Sequence, residues 1–335
     1  MGVTYSEVDA DLPPQGAPMP LDAATSAFLA QAAAAGGPAL HEISPDEARA
    51  LSKGFVDLYG PGPDVAAVEE ITLTAEDGAE RRGRLLTPHG DVRGVVVYLH
   101  GGGWVVDDID GYDCLGRTLA TRSQHAVLLV DYRKAPEDPF PAATHDAWAG
   151  VLEGARRRDA LGADLPLVVA GDSAGGNLAA VVAQRSARDG GPAIDLQVLV
   201  YPVTDHDTAT ASYRDPANAL MLTREAMEHF WGLYAPDAAD RARPDASPLR
   251  AGDLAALGAG GRLAPALVLL PEHDVLRDEG AAYAAALREA GVRVDEHVAP
   301  GQMHGFFQFV NVLPGAEAGM TVVVEALGRP SDGTA

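Results

Sequence analysis

Apolar and polar positions recur with different periods along this chain, and the changes of period divide it. After a proline-rich start, "LDAATSAFLAQAAAAGG" carries helix formers behind Asp22, a side chain suited to accept from the first free N–H groups, and it runs into Gly36 and Gly37, which stop the helix. "SPDEARALSKGFVDLYG" predicts a second helix with a capping box, Ser44 at the cap, Pro45 at the first helical position and Glu47 three residues on. "VEEITLT" and "ERRGRLLTP" alternate around the turn "EDG", as two strands with one face in solvent do.

From there the pattern changes to short continuous apolar runs: "GVVVYLH", "AVLLVDY", "LPLVVAG", "LQVLVYP", "PALVLLP" and "VRVDEHV". Runs rich in β-branched residues, separated by amphipathic stretches such as Ala174 to Ala187 and Glu279 to Ala290, predict a mostly parallel sheet covered by helices on both faces, an α/β fold of the doubly wound kind. Between "YPVTD" and "PALVLLP" lie about 60 residues, with a helix expected at Thr223 to Tyr234. That is too long for one crossover and reads as an insertion over the sheet. The expected organisation is an N-terminal helical cap segment at 1–65 and an α/β domain at 66–335, with a cap insertion at about 204–245.

Composition narrows the partners. A chain of 335 residues that is 47% hydrophobic can bury one large core. Its formal charge of -23 would repel phosphate backbones and anionic membranes, so nucleic acid is not an expected partner. The first 20 residues have neither a basic start nor an apolar core, and no run of about 18 apolar residues occurs elsewhere. Neither a secretory leader nor a membrane span is expected, and the cytoplasm is the default location. Cys114 is the single cysteine and reads as a small buried hydrophobe.

The candidate chemistry sits at one end of the parallel runs. "AGDSAGG" places Ser173 between Gly171 and Gly175 where the run "LPLVVAG" ends and a helix sequence begins, as in a nucleophile elbow. The pattern is short for a chain with 37 glycines, but its position beyond the carboxyl end of a strand is where open α/β sheets bind ligands. A serine hydroxyl needs a base, and the base needs an orienting acid, in the chain order Ser, Asp or Glu, His. Downstream histidines are His206, His229, His273, His297 and His304. His206 and His229 fall in the insertion, His273 lies beside the candidate acids, and His297 falls within or at the end of a strand. His304, in the glycine-containing loop "PGQMHGFF", is the choice. "PEHDVLRDEG" offers two acids: Asp274, nearer the strand end, and Asp278, where a helix N-cap is expected. "HGGGW", His100 to Trp104, follows the run "GVVVYL" and can turn backbone N–H groups toward a substrate oxygen. "DDIDGYD", Asp107 to Asp113, lacks the ligand spacing of a calcium loop, and "DHD" at Asp205 to Asp207 is a loop, so no metal is expected.

Taken in order, "HGGGW", "DYRKAPEDPFPAA", "GDSAGGNLA", "YPVTD", "DVLRDEG" and "MHGF" resemble the hormone-sensitive-lipase-like branch (bacterial family IV) of the α/β-hydrolase esterases, over Leu99 to about Phe307. The resemblance implies an α/β-hydrolase fold and a serine carboxylesterase acting on short-chain esters through an acyl-enzyme, with no cofactor. It implies Ser173 as nucleophile, Asp274 as acid, His304 as base, and Gly102, Gly103 and Ala174 as oxyanion-hole donors. His100 would shape the glycine loop, Trp104 would bound the substrate pocket, and a homodimer through an edge strand is possible in such a family. The chain departs from it at Val275, Lys134 and Asp138, where proline, leucine and histidine are usual. A lactone or amide hydrolase with the same triad, or a non-catalytic ligand-binding member of the fold, are the alternatives.

Overall fold

Eight strands form one sheet in the computed structural model, which describes residues 20–329. The first 19 residues, part of the segment read above as lacking a leader, lie outside the described residues. The strands are β1 (Ala67–Thr74), β2 (Glu80–Thr87), β3 (Val95–Leu99), β4 (Ala126–Val130), β5 (Leu167–Asp172), β6 (Leu196–Val200), β7 (Ala266–His273) and β8 (Val294–Met303), in the order β1-β2-β4-β3-β5-β6-β7-β8. The pairs β1–β2 and β2–β4 are antiparallel, and every pair from β4 to β8 is parallel. Each apolar run of the sequence is thus one strand. In β3, Val95, Val97 and Leu99 pack into the core on one face, Val96 and Tyr98 into that on the other, as the two-residue period requires.

Helices cover both faces. The elements α1 (Ala23–Ala35), α2 (Pro45–Lys53) and α3 (Val56–Tyr59) precede the sheet. The helix α4 (Asp113–Ser123) follows β3, α5 (Ala142–Leu161) follows β4, and α6 (Ala174–Asp189) follows β5. Between β6 and β7 stand α7 (Ala211–Arg214), α8 (Arg224–Tyr234), α9 (Ala238–Arg241) and α10 (Leu254–Ala259), and the chain ends with α11 (Arg277–Glu289) and α12 (Pro314–Leu327). Buried side chains of α5, α6 and α11 fill one core, those of α4 and α12 the other.

The local signals in the sequence hold where the partners are local. Asp22 caps α1, accepting from the Thr25 N–H at 2.8 Å. Ser44 and Glu47 form the capping box of α2, with the Ser44 N–H 2.9 Å from the Glu47 carboxylate. The second helix is shorter than expected: it ends at Lys53, and α3 starts at Val56 beyond Gly54, the residue with the weakest helix preference in the run apart from proline. Thr223 caps α8, accepting from the Ala226 N–H at 3.2 Å.

Because β3 has β4 on one side and β5 on the other, the chain reverses its direction of winding there. Leu99, at the end of β3, is paired in register with Gly171 of β5. The glycine loop and the serine turn therefore leave adjacent strands at the same height. They meet backbone on backbone: a Cβ on Gly175 would lie 2.0 Å from the Leu99 carbonyl oxygen, and one on Gly171 would lie 2.3 Å from that of Gly175. Gly175→Ala is expected to cost about 3 kcal/mol or more, because the obstructing atom is main chain and cannot rotate away. Gly232→Ala, on α8 with nothing within 4 Å of its would-be Cβ, should instead stabilise by roughly 1 kcal/mol. Paired thermal unfolding curves check both, and equal shifts would remove the argument.

Candidate active site

Ser173 stands between β5 and α6 with φ 55 and ψ −119, a left-handed conformation that a non-glycine residue holds only when its surroundings fix it. Three main-chain hydrogen bonds do so. Its N–H donates to Val200 at 2.9 Å, and its carbonyl accepts from Asn177 at 3.0 Å and Val203 at 3.2 Å. The side chain of Asn177 donates onward to the carbonyls of Val203 (2.9 Å) and Ala246 (2.8 Å), tying the turn to the segment after β6.

The Ser173 hydroxyl lies 3.0 Å from His304 Nε2, and His304 Nδ1 lies 2.8 Å from an Asp274 carboxylate oxygen. Asp274 is fully buried, and its other oxygen accepts from the Leu276 N–H at 2.9 Å, so the carboxylate is held at both ends. A carboxylate on Nδ1–H leaves Nε2 as the acceptor that faces the serine hydroxyl. An imidazole so placed can take the hydroxyl proton while its new charge is balanced. Asp278 is elsewhere. It lies in the first turn of α11 rather than at the N-cap position, which is Leu276, and accepts from the Ser212 N–H at 2.7 Å. Its carboxylate thus holds α7 against α11 instead of capping α11, a use that depends on a partner 66 residues away. His206 pairs with Asp205 at 3.2 Å, and His297 lies on the edge strand β8.

The glycine loop is held from below by a buried polar cluster that the sequence patterns did not flag. The Asp172 carboxylate accepts from Tyr98 OH (3.0 Å), Tyr112 OH (2.8 Å) and the Gly101 N–H (3.1 Å). Burial nevertheless pushes its carboxyl up to about 6. Tyr132 OH donates to the His100 carbonyl at 2.7 Å, and its ring stacks on the His100 imidazole at 4.2 Å. Gly102 and Gly103 have φ 102 and 58, and a Cβ on Gly102 would lie 2.3 Å from the Val106 carbonyl oxygen. Ala174 is the first residue of α6, where backbone N–H groups have no intrahelical acceptor.

A cavity of ≈ 230 Å³ lies over these residues. Ser173, His304, Gly102 and Gly103 border it. Leu40, Ala48, Leu51 and Phe55 wall it from the N-terminal segment, and Met221, Leu222, Met227 and Phe230 from the segment between β6 and β7. Trp104 does not border it. Contrary to the expectation from its place after the glycines, the indole is fully buried, stacked on Tyr234 at 4.1 Å with an interplanar angle of 5°. Phe230 instead closes on Gly103, 2.6 Å from where a Cβ would stand. Among the described residues no group of three or more His, Cys, Asp or Glu side chains could hold a metal ion. The acidic run after the glycine loop is taken up by arginines: Arg84 pairs with Asp110 at 2.7 Å and with Asp113 at 3.0 Å. Cys114 is buried as expected.

Comparison with known proteins agrees with this architecture. The family described as alpha/beta hydrolase fold matches residues 96–308. The chain is 37% identical over 299 residues to an ethyl acetate hydrolase of Pseudomonas putida, covering 86% of this chain and 91% of that one. It is 40% identical over 238 residues to the carboxylesterase NlhH of Mycobacterium tuberculosis, covering 70% and 71%. A thermostable esterase from Pseudomonas putida ECU1011 superposes with a TM-score of 0.84 at 36% identity, covering 93% of this chain and 98% of that one. No helix among the described residues is long and apolar enough to cross a membrane.

Burial and the nearby Lys134 push the His100 imidazole down to about 3, and its Nδ1–H donates to the Gly101 carbonyl at 2.7 Å. The unfolded chain accepts this proton near 6.5. The stability that depends on a neutral His100 is therefore whole above that pH and is lost as the pH falls toward 3. Its ring carbon NMR resonance should show no protonation step between pH 8 and 5. A step near 6.5 would mean that water reaches the loop from below.

Proposed function

The chain belongs to the α/β-hydrolase family and is a carboxylic ester hydrolase; we propose that it cleaves small esters through an acyl-enzyme formed on Ser173. His304 takes the serine proton as Oγ adds to the ester carbonyl. The N–H groups of Gly102, Gly103 and Ala174 receive the negative charge that develops on the carbonyl oxygen. Collapse of the tetrahedral adduct breaks the bond to the alkoxy group, and the imidazolium returns its proton to the departing alcohol. Water then repeats the sequence on the acyl-enzyme, with His304 again the base, and releases the carboxylic acid and free Ser173. Asp274 stabilises the imidazolium at each stage. Of the cap read at 1–65 and about 204–245, described residues between Leu40 and Tyr59 and between Met221 and Phe230 border this site.

The observation that carries the reading is the unbroken run of contacts from Asp274 through His304 to Ser173, 2.8 and 3.0 Å, ending in an apolar cavity beside the glycine loop. Its size speaks to the substrate. Sites for drug-sized ligands enclose roughly 300–1,000 Å³, and ≈ 230 Å³ suits a short acyl chain.

With p-nitrophenyl butyrate as substrate, Ser173→Ala is expected to lower kcat by about 10⁶-fold and Asp274→Asn by about 10⁴-fold. Asp278→Asn should keep nearly full activity, since an Asn oxygen can still accept from the Ser212 N–H. An active Asp274→Asn beside a crippled Asp278→Asn would reverse the choice of acid. The butyrate ester should also be cut with a higher kcat/KM than the dodecanoate, and the opposite order would contradict the short-chain reading.

A further inference from the structure

The wall of the cavity is mostly apolar. No lysine or arginine borders it, and two carboxylates do, Asp172 and Asp107. Asp172 is occupied by two tyrosine hydroxyls and the Gly101 N–H. Asp107 is different. One of its oxygens accepts from the Ser52 hydroxyl of α2, and the other takes no hydrogen bond from any described residue.

Asp107 borders the same cavity as Ser173 and His304, and its backbone is unusual. Asp107 has φ 65, in the left-handed region where aspartate and asparagine are the side chains best tolerated. It directly follows Val106, whose N–H donates to the Gly102 carbonyl at 2.9 Å and whose own carbonyl lies against Gly102. Ser52 and Asp107 also border a second cleft of ≈ 170 Å³, lined further by Arg49, Lys53, Asp108, Asp131 and Lys134. Lys134 is engaged there by Asp131 at 2.7 Å. Asp107 therefore stands at the seam between a mostly apolar cavity and a charged cleft. A substrate whose apolar part lies at Ser173 would bring a polar end to this seam.

Resting on the esterase reading above, we propose that Asp107 is a specificity-determining residue that selects esters carrying a protonated amine a few bonds from the scissile carbonyl. The amine N–H donates to the open Asp107 oxygen while the Ser52 hydroxyl holds the other. Burial and the neighbouring Asp172 and Asp108 push the Asp107 carboxyl up to about 7. An arriving ammonium would favour the ionised form and form the charge-assisted hydrogen bond that an uncharged substrate cannot. The alternative role for Asp107, a clamp that holds α2 to the loop through Ser52, parts from this one under substitution. Asp107→Asn keeps an acceptor for Ser52 and tolerates the left-handed backbone, but it removes the charge.

The test is a ratio of kcat/KM values measured at neutral pH for two matched pairs: 2-(dimethylamino)ethyl acetate over 3-methylbutyl acetate, and β-alanine methyl ester over methyl butanoate. The first pair puts the amine on the alcohol half, the second on the acyl half, and the ratio cancels general losses of activity. In at least one pair the ratio should fall about tenfold or more in Asp107→Asn, mainly through KM, as loss of a charge-assisted hydrogen bond implies. Asp107→Gly, free of backbone strain, should behave alike. Ratios within about twofold of wild type in both pairs would overturn the proposal and leave Asp107 a clamp. Failure of the unsubstituted enzyme to hydrolyse either hydrocarbon ester would instead count against the esterase reading itself.

Discussion

The site depends on one close approach between two stretches of main chain. The end of β3 and the first turn of α6 touch so tightly that the space for a Cβ on Gly175 is taken by the Leu99 carbonyl, 2.0 Å away. This contact sets how far the serine turn stands from the glycine loop, because Leu99 and Gly171 are already fixed in register within the sheet. Neither partner can shift without breaking ladder hydrogen bonds that are buried and have no water to replace them. The left-handed Ser173 follows from the same geometry. A strand that turns into a helix with no intervening loop must reverse within one residue, and the backbone bonds to Val200, Asn177 and Val203 hold that residue in place.

A second constraint is electrostatic, and it works against stability. Placing Asp172 under the glycine loop buries a carboxyl whose pKa rises to about 6, which means that the fold disfavours its charge. Two tyrosine hydroxyls and one backbone N–H offset part of that penalty. What the arrangement provides is direction. The Gly101 N–H is drawn down toward Asp172 and Tyr112, and Tyr132 takes the His100 carbonyl, so the main chain on either side of that peptide is anchored before the two left-handed glycines begin. An apolar floor would fill the same volume without fixing the orientation of any N–H.

Most of the fold was legible in the sequence because its signals are local. Caps at Asp22 and Ser44 act within three residues, and five strands of the parallel sheet, β3 to β7, announce themselves as runs of buried, mostly apolar residues. The elbow and the glycine loop were legible through their glycines: Gly102 and Gly103 take left-handed backbone conformations, and Gly171 and Gly175 stand where a Cβ would strike main chain. What the sequence hid was set by distant partners. Trp104 was expected on the cavity wall because it follows the glycines, but Tyr234 and Trp231 of α8 offer the indole a stacked, dry environment that local order cannot reveal. Asp278 has the composition of a cap and serves Ser212 instead. Asp172 occupied the variable place in the serine motif, and only the sheet brings Tyr98 and Tyr112 to it.

The N-terminal segment shows how a mostly apolar cavity acquires a defined shape. Ala48, Leu51, Met227 and Phe230 line the cavity with apolar side chains, whose non-directional packing alone would permit α2 to slide over the sheet. Arg49 prevents this. Its guanidinium donates to the Val105 carbonyl at 2.9 Å and the Ala135 carbonyl at 3.0 Å, and pairs with Glu137. Val105 in turn donates its N–H to the Gly102 carbonyl at 3.0 Å. One side chain thus registers α2 directly to the glycine loop, and the planar fork of an arginine suits that task because its donors leave in fixed directions. Leu51, half exposed at the cavity edge, and Ser52, on the Asp107 carboxylate, are carried to their places by the same attachment. The cavity wall and the glycine-loop amides are therefore positioned by a single frame rather than by two.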